Sequence, residues 1–116
     1  MLRMTAHLTF HGGAGTVTGA NFLLETGAKK ILVDCGIHER EQLCDPSNYD
    51  AFPYDPKTID ALFITHAHAD HIGRVPKLVR DGFKGVIYST PATKELSAIM
   101  FDDALSIMKE SADSQN

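Results

Sequence analysis

The stretch Thr65-His66-Ala67-His68-Ala69-Asp70-His71 gathers three of the chain's six histidines and a carboxylate. That donor set calls for a metal ion. Imidazole and carboxylate suit zinc first, and the lack of a thiolate leaves iron and manganese compatible as well. In an extended loop His66 and His68 share one side because side chains alternate with period two, so both imidazoles can close on one ion. Asp70 and His71 fall where the chain turns into a helix. The change of direction aims this second pair at a neighbouring position, about 3.5–4 Å away in two-metal sites. The alternative is a polar loop whose histidines only form hydrogen bonds. It accounts for one lone histidine better than for four donors at this spacing.

The flanking residues show what has to hold the motif. Ala61-Leu62-Phe63-Ile64 reads as a buried strand before it. After it, Ile72, Val75, Leu78 and Val79 recur at helical spacing, with Arg74, Lys77 and Arg80 on the other side. Pro76 fits the first turn of that helix and Gly82 its stop. A loop between a strand and a helix is where a rigid scaffold carries chemistry. Upstream, a strand is expected over Met4 to His11, running into a glycine-rich segment at 12–19. Phe22 to Thr26 and Lys30 to Asp34 read as a hairpin. Asp34 stands at the carboxyl edge of a buried strand, where it either orients a ligating histidine or caps the following turn. Downstream, Val86-Ile87-Tyr88 is a short strand and Thr90-Pro91 starts a final helix. Its expected apolar stripe is Leu96, Ile99, Met100, Ala104, Ile107 and Met108, and residues 111–116 are expected to fray. The fold class is α/β, a mixed sheet with helices on at least one face.

Gly13-Ala14-Gly15 begins like a dinucleotide fingerprint, with Asp34 about the right distance on. That fingerprint needs a helix directly after its glycines, whereas Thr16-Val17-Thr18 and Phe22-Leu23-Leu24 favour extended chain. The segment is read instead as a turn passing close to the metal site. Residues 37–57, rich in proline and acidic side chains, form a long loop in which His38 is a candidate substrate contact or a solvated histidine. Cys35 and Cys44 have the spacing of neither a zinc knuckle nor a disulfide framework, and Cys35 reads as a small buried hydrophobe. Eleven basic against fifteen acidic residues, a net charge of −4, is not the footprint of a self-sufficient nucleic-acid binder. No apolar run reaches the length of a signal peptide core or a membrane span, so no membrane association and a cytoplasmic setting are expected.

The HxHxDH signature resembles the metallo-β-lactamase superfamily. Three further stretches narrow the resemblance to the β-CASP branch of RNA-processing nucleases: His11 to Glu25, Ile31-Leu32-Val33-Asp34-Cys35-Gly36, and Pro91-Ala92-Thr93-Lys94-Glu95-Leu96. The match runs from about residue 4 to about residue 108. It implies the first half of the family's αβ/βα sandwich, with His66, His68, Asp70 and His71 as ligands in a two-zinc centre that activates water against a phosphodiester. His66 and His68 would hold one ion, and Asp70 and His71 the other. Asp70 would also orient the nucleophile, and Asp34, at the family's first motif, would act from behind the ligands. Gly36-Ile37-His38-Glu39 departs from the Leu-Phe-Gln common after that glycine in the family, which weakens a substrate role for His38.

The family's later ligands and its inserted RNA-binding domain have no counterpart after Pro91-Ala92-Thr93. The chain is therefore expected to be an amino-terminal fragment with partial zinc occupancy and little activity of its own. RNA is the partner implied for an intact relative. Hydrolysis of small esters, thioesters or lactones is an alternative activity, since the ligand loop is shared across them. A non-catalytic metal-binding or interaction module is another. Half a sandwich leaves an apolar sheet face uncovered, so a homo-oligomer is expected.

Overall fold

A computed structural model of the chain describes residues 5–38 and 46–115. Five strands, β1 (His7–Gly12), β2 (Asn21–Glu25), β3 (Lys30–Val33), β4 (Ala61–Phe63) and β5 (Val86–Tyr88), form one sheet in sequence order. β1, β2 and β3 pair antiparallel, and β3, β4 and β5 pair parallel. The sheet is mixed, as expected. Each parallel step is made by a crossover, through residues 34–60 and then through α1 (Ala69–Ile72) and α2 (Val75–Arg80).

Register separates two faces. Leu23, Leu32 and Leu62 lie opposite one another across β2, β3 and β4, and all are buried. They meet Ile72, Val75 and Leu78 of the helices, with Phe52 and Phe83 completing the core. On the other face Phe10, Phe22, Val33, Phe63 and Tyr88 form one continuous row and Leu8, Leu24, Ile31, Ala61 and Val86 the next. Phe10, Phe63, Val86 and Tyr88 are between 41% and 58% exposed. This face has rings stacked along it, Phe63 on Tyr88 at 4.9 Å and Phe10 edge-on to Phe22 at 5.6 Å, but no layer over it among the described residues.

The helix expected after the ligand loop is two helices. Pro76 has no N–H to continue a helix running from α1, and the chain restarts at Val75 with Pro76 in the first turn. Between them, Arg74 N donates to Cys35 O at 2.9 Å, tying the break to the strand side. Gly82, at φ +117°, ends α2 as read.

In α3 (Pro91–Gln115) the expected apolar stripe holds at Met100 and is corrected at Leu96 and Ile99, while the side chains of Ala104, Ile107 and Met108 lie outside the described residues. Leu96 and Ile99 are 54% and 64% exposed, and the inward positions are Thr93, Ser97, Met100 and Phe101. Two hydroxyls can occupy the buried turn because α3 satisfies them itself. Ser97 Oγ donates to Thr93 O at 2.6 Å, and Thr93 Oγ1 accepts from Thr90 Oγ1 at 2.9 Å, the same hydroxyl that caps Thr93 N at 3.2 Å. The helical backbone continues through Gln115, past the start of the expected frayed tail.

The 37–57 loop is more structured than its composition suggested. Pro46–Tyr49 and Pro56–Thr58 are 3-10 turns, and Phe52 enters the core. Residue 39 to residue 45, including Cys44, lie outside the described residues. No helix among the described residues is long and apolar enough to cross a membrane.

Candidate metal centre

Asp34, one residue past β3, begins the site. It is 1% exposed and sits at φ +62°, a left-handed conformation uncommon for a side-chain-bearing residue but better tolerated by Asp than by most. Its backbone is fixed on both sides: Asp34 N donates to Phe63 O at 2.8 Å, and Asn21 Nδ2 donates to Asp34 O at 3.0 Å. The carboxylate crosses to the ligand loop. Oδ1 accepts Thr65 N at 2.8 Å, and Oδ2 accepts Thr65 Oγ1 and His71 Nδ1, each at 2.7 Å. Asp34 therefore hydrogen-bonds both Thr65 and His71 of the loop.

These contacts set the histidines' nitrogens. Asp34 as a carboxylate can only accept, so His71 Nδ1 donates, and in the neutral ring it is Nε2 that has the lone pair. Thr65 Oγ1–H is committed to Asp34, so its 3.0 Å contact with His66 Nδ1 requires that nitrogen to donate. His66 Nε2 is then a free donor atom as well. Metal-bound histidines typically hold their second nitrogen in this way. Thr65 was part of the motif read from sequence but had no role assigned. Its position directly before the first histidine was the available signal.

His66, Asp70 and His71 offer ligand atoms that all lie within 4.8 Å of one another. The His66 and His71 rings are 3.8 Å apart, and His71 Nε2 is 3.4 Å from Asp70 Oδ2. His66 and His68 do share a side, with buried Ala67 between them pointing inward and the two rings 4.8 Å apart. The three-residue group nevertheless forms across the turn rather than along the loop. His68 is exposed, caps α1 with its backbone and stands outside that group. Two imidazole nitrogens and a carboxylate oxygen at this spacing fit a zinc ion or a similar divalent metal.

The turn is held by backbone from elsewhere. Carbonyls of α1 accept from Ala20 N (Asp70 O, 3.0 Å), Cys35 N (His71 O, 2.8 Å) and Ile37 N (Ala69 O, 3.1 Å), the last beside the Gly73 N bond that closes the helix. This close approach requires Gly36, because a methyl group there would lie 1.6 Å from Asp70 O. The 12–19 segment turns as read: Gly13, Gly15 and Gly19 have φ near +70°, and β2 follows in extended form, which excludes the dinucleotide fingerprint. Its close contact is with His38, whose ring fills the space where Gly19 has no side chain. The backbone of His38 is held by Asn48, at 2.6 Å and 3.0 Å.

Behind the site is a buried polar group that sequence reasoning missed. Tyr54 OH donates to Asn21 Oδ1 at 2.8 Å, and burial raises the Tyr54 hydroxyl well above its ordinary pKa. Cys35 is fully buried, and burial pushes its thiol up to about 12, so it stays protonated and inert, as a small hydrophobe should. Asn21 had no periodicity or motif to mark it.

The sequence profile of the metallo-beta-lactamase superfamily matches residues 14–109. Among characterised relatives, Ribonuclease TTHA0252 of Thermus thermophilus is 44% identical over 99 residues, covering 85% of this chain and 22% of that protein. Transcription termination factor FttA of Methanocaldococcus jannaschii is 34% identical over 103 residues, 89% of this chain and 16% of that one. Cleavage and polyadenylation specificity factor 73 of Drosophila melanogaster is 41% identical over 101 residues, 82% and 14% respectively. The chain thus spans less than a quarter of the length of each of these relatives.

Proposed function

The chain belongs to the metallo-beta-lactamase superfamily, and from that premise we propose that it carries the first metal-ligand loop of an RNA phosphodiester hydrolase. The observation that supports this most is the convergence of His66, Asp70 and His71, with His71 Nδ1 held by Asp34 and its Nε2 turned toward Asp70. The printed names of the relatives, a ribonuclease and a cleavage factor among them, favour RNA over small esters as the substrate.

In this reading His66, Asp70 and His71 are metal ligands, and His68 joins them from its position beside His66. A bound divalent ion, zinc by donor chemistry, supplies activated water and Lewis-acid polarisation of a phosphodiester. The residues of the chain hold and orient. Asp34 fixes His71 and, through Thr65, His66. Asp70 accepts a hydrogen bond from the attacking water and sets its direction.

Among the described residues His66, Asp70 and His71 are the one such ligand group, and the net charge of −4 gives no broad phosphate-steering surface. These observations favour a second reading, a metal-binding module without turnover of its own. Two measurements separate them. Calorimetry should show weak zinc binding that falls with acidification and is lost in His66→Ala/His68→Ala; equal affinity for both proteins removes the site. Incubated with RNA and zinc, the 116-residue chain should cleave far below an enzyme's usual turnover, of order 1 per second or more. Brisk cleavage abolished by Asp70→Ala would show that the chain suffices as a nuclease.

A further inference from the structure

Between α2, α3 and the turn at Pro46–Tyr49 lies a cavity of about 320 Å³. Ile37, Ile72, Met100 and Phe101 supply apolar walls, and none of the proposed metal ligands lines it. Its size falls at the small end of the range for ligand sites, and its make-up, mostly apolar with a few placed polar groups, is theirs.

The charged groups along it have one sign. Among the described residues the charged side chains that line the cavity are Arg74, Lys77 and Arg80, in a chain whose acidic residues outnumber its basic ones. Asp81, outside the lining, offsets part of this charge from 2.6 Å at Lys77 Nζ and 3.3 Å at Arg80 Nε. Asp81 therefore engages two of the three cations and not Arg74. Arg74 is only 7% exposed; its Nε donates to Gly36 O, and its Nη2 is buried without a hydrogen-bond partner. A buried charged donor without an acceptor is unfavourable, and the guanidinium is otherwise set over the Phe52 ring at 5.3 Å. Arg80, 70% exposed, carries positive charge to the rim.

The geometry points to a binding site for a small amphipathic anion, its apolar body between α2 and α3 and its acidic head beside Arg74 and Arg80. The site is independent of the metal centre and of the function proposed for it.

The test is titration of the full chain with octanoate, octyltrimethylammonium and octanol, followed by amide chemical shifts. Octanoate should saturate with shifts on α2 and α3 and bind about tenfold more tightly than the ammonium with the same tail. Met100→Trp, which fills the cavity, should abolish octanoate binding. Leu105→Glu changes a half-exposed lining residue and avoids the core, so it should weaken binding even if Met100→Trp proves unfolded. Tyr88→Lys, on the bare sheet face, should leave it unchanged. Equal affinity for anion and cation, full octanoate affinity in folded Leu105→Glu, or shifts confined to the sheet face would each overturn the assignment.

Discussion

Asp34 Oδ2 lies 2.7 Å from His71 Nδ1 while the same carboxylate binds Thr65 through both oxygens. One buried anion thus ties the end of β3 to both the first and the last residue of the ligand loop. Asp34→Asn keeps a side chain that tolerates the left-handed backbone but removes the charge. Zinc affinity should fall by about 10–100-fold, the usual effect of removing the partner of a ligating histidine. Stability should drop by about 1–3 kcal/mol as buried donors lose an acceptor. Calorimetry and urea unfolding read the two effects separately, and unchanged zinc affinity would mean that Asp34 only braces the loop.

Gly36 offers a test through the backbone alone. Its added methyl would meet Asp70 O and, at 2.7 Å, His71 N, both main-chain atoms that a rotamer change cannot move. Gly36→Ala should therefore displace α1, lowering stability by about 3 kcal/mol or more and weakening zinc binding with it. Gly27→Ala, where a methyl meets nothing within 4 Å, should stay within about 0.5 kcal/mol of the wild type.

His11 gives the fold a pH dependence of predictable sign. Burial lowers its pKa below the ordinary 6.5, with Glu25 opposing and Arg74 adding to the shift, and its Nε2 is buried without a partner. Above 6.5 the ring is neutral folded and unfolded, so it contributes no slope. As pH falls through that value the unfolded chain takes up the proton first, and stability declines until the folded pKa is passed. Urea midpoints between pH 7.5 and pH 5.5 should fall less in His11→Phe, which keeps a ring against Tyr54 at 5.2 Å. An identical fall in both proteins would assign the slope to other groups.

The parts of this fold legible in the sequence are those with a local signal. Short apolar runs marked β2, β3 and β4, and Thr90-Pro91 marked the start of α3 by a cap that the structure contains. The break before Val75 was hidden because Ile72, Val75 and Leu78 keep helical phase across it. The inner side of α3 was misread because hydrophobicity ranks Leu96 and Ile99 above Thr93 and Ser97, while burial follows whether a hydroxyl finds an acceptor within its own helix. At the candidate metal centre the donors were grouped from their spacing along the loop, whereas the structure brings His66, Asp70 and His71 together across the turn. Period-two alternation pairs His66 with His68, but the backbone bonds from Ala20, Cys35 and Ile37 fold α1 back and bring His71 closer. Those three donors come from more than thirty positions away.

The uncovered sheet face bears on how the chain associates. Leu8, Phe10, Phe63, Val86 and Tyr88 are each more than 40% exposed and stand in two continuous rows that Phe22, Leu24, Ile31 and Val33 complete. A contiguous apolar patch of this kind marks an association surface or an aggregation hazard, and β5 adds an unpaired strand edge beside it. In a solution of this chain alone, the surface at hand to cover it is the same face of a second copy, which makes a two-fold contact self-complementary. The chain should therefore sediment as a dimer or larger species with concentration-dependent stability. Phe63→Lys/Tyr88→Lys places like charges on neighbouring strands of that face, away from the core cluster, and should shift the population to monomer without unfolding it. A monodisperse wild-type monomer that binds no apolar dye would show that the face stays dry without a partner and would remove the prediction.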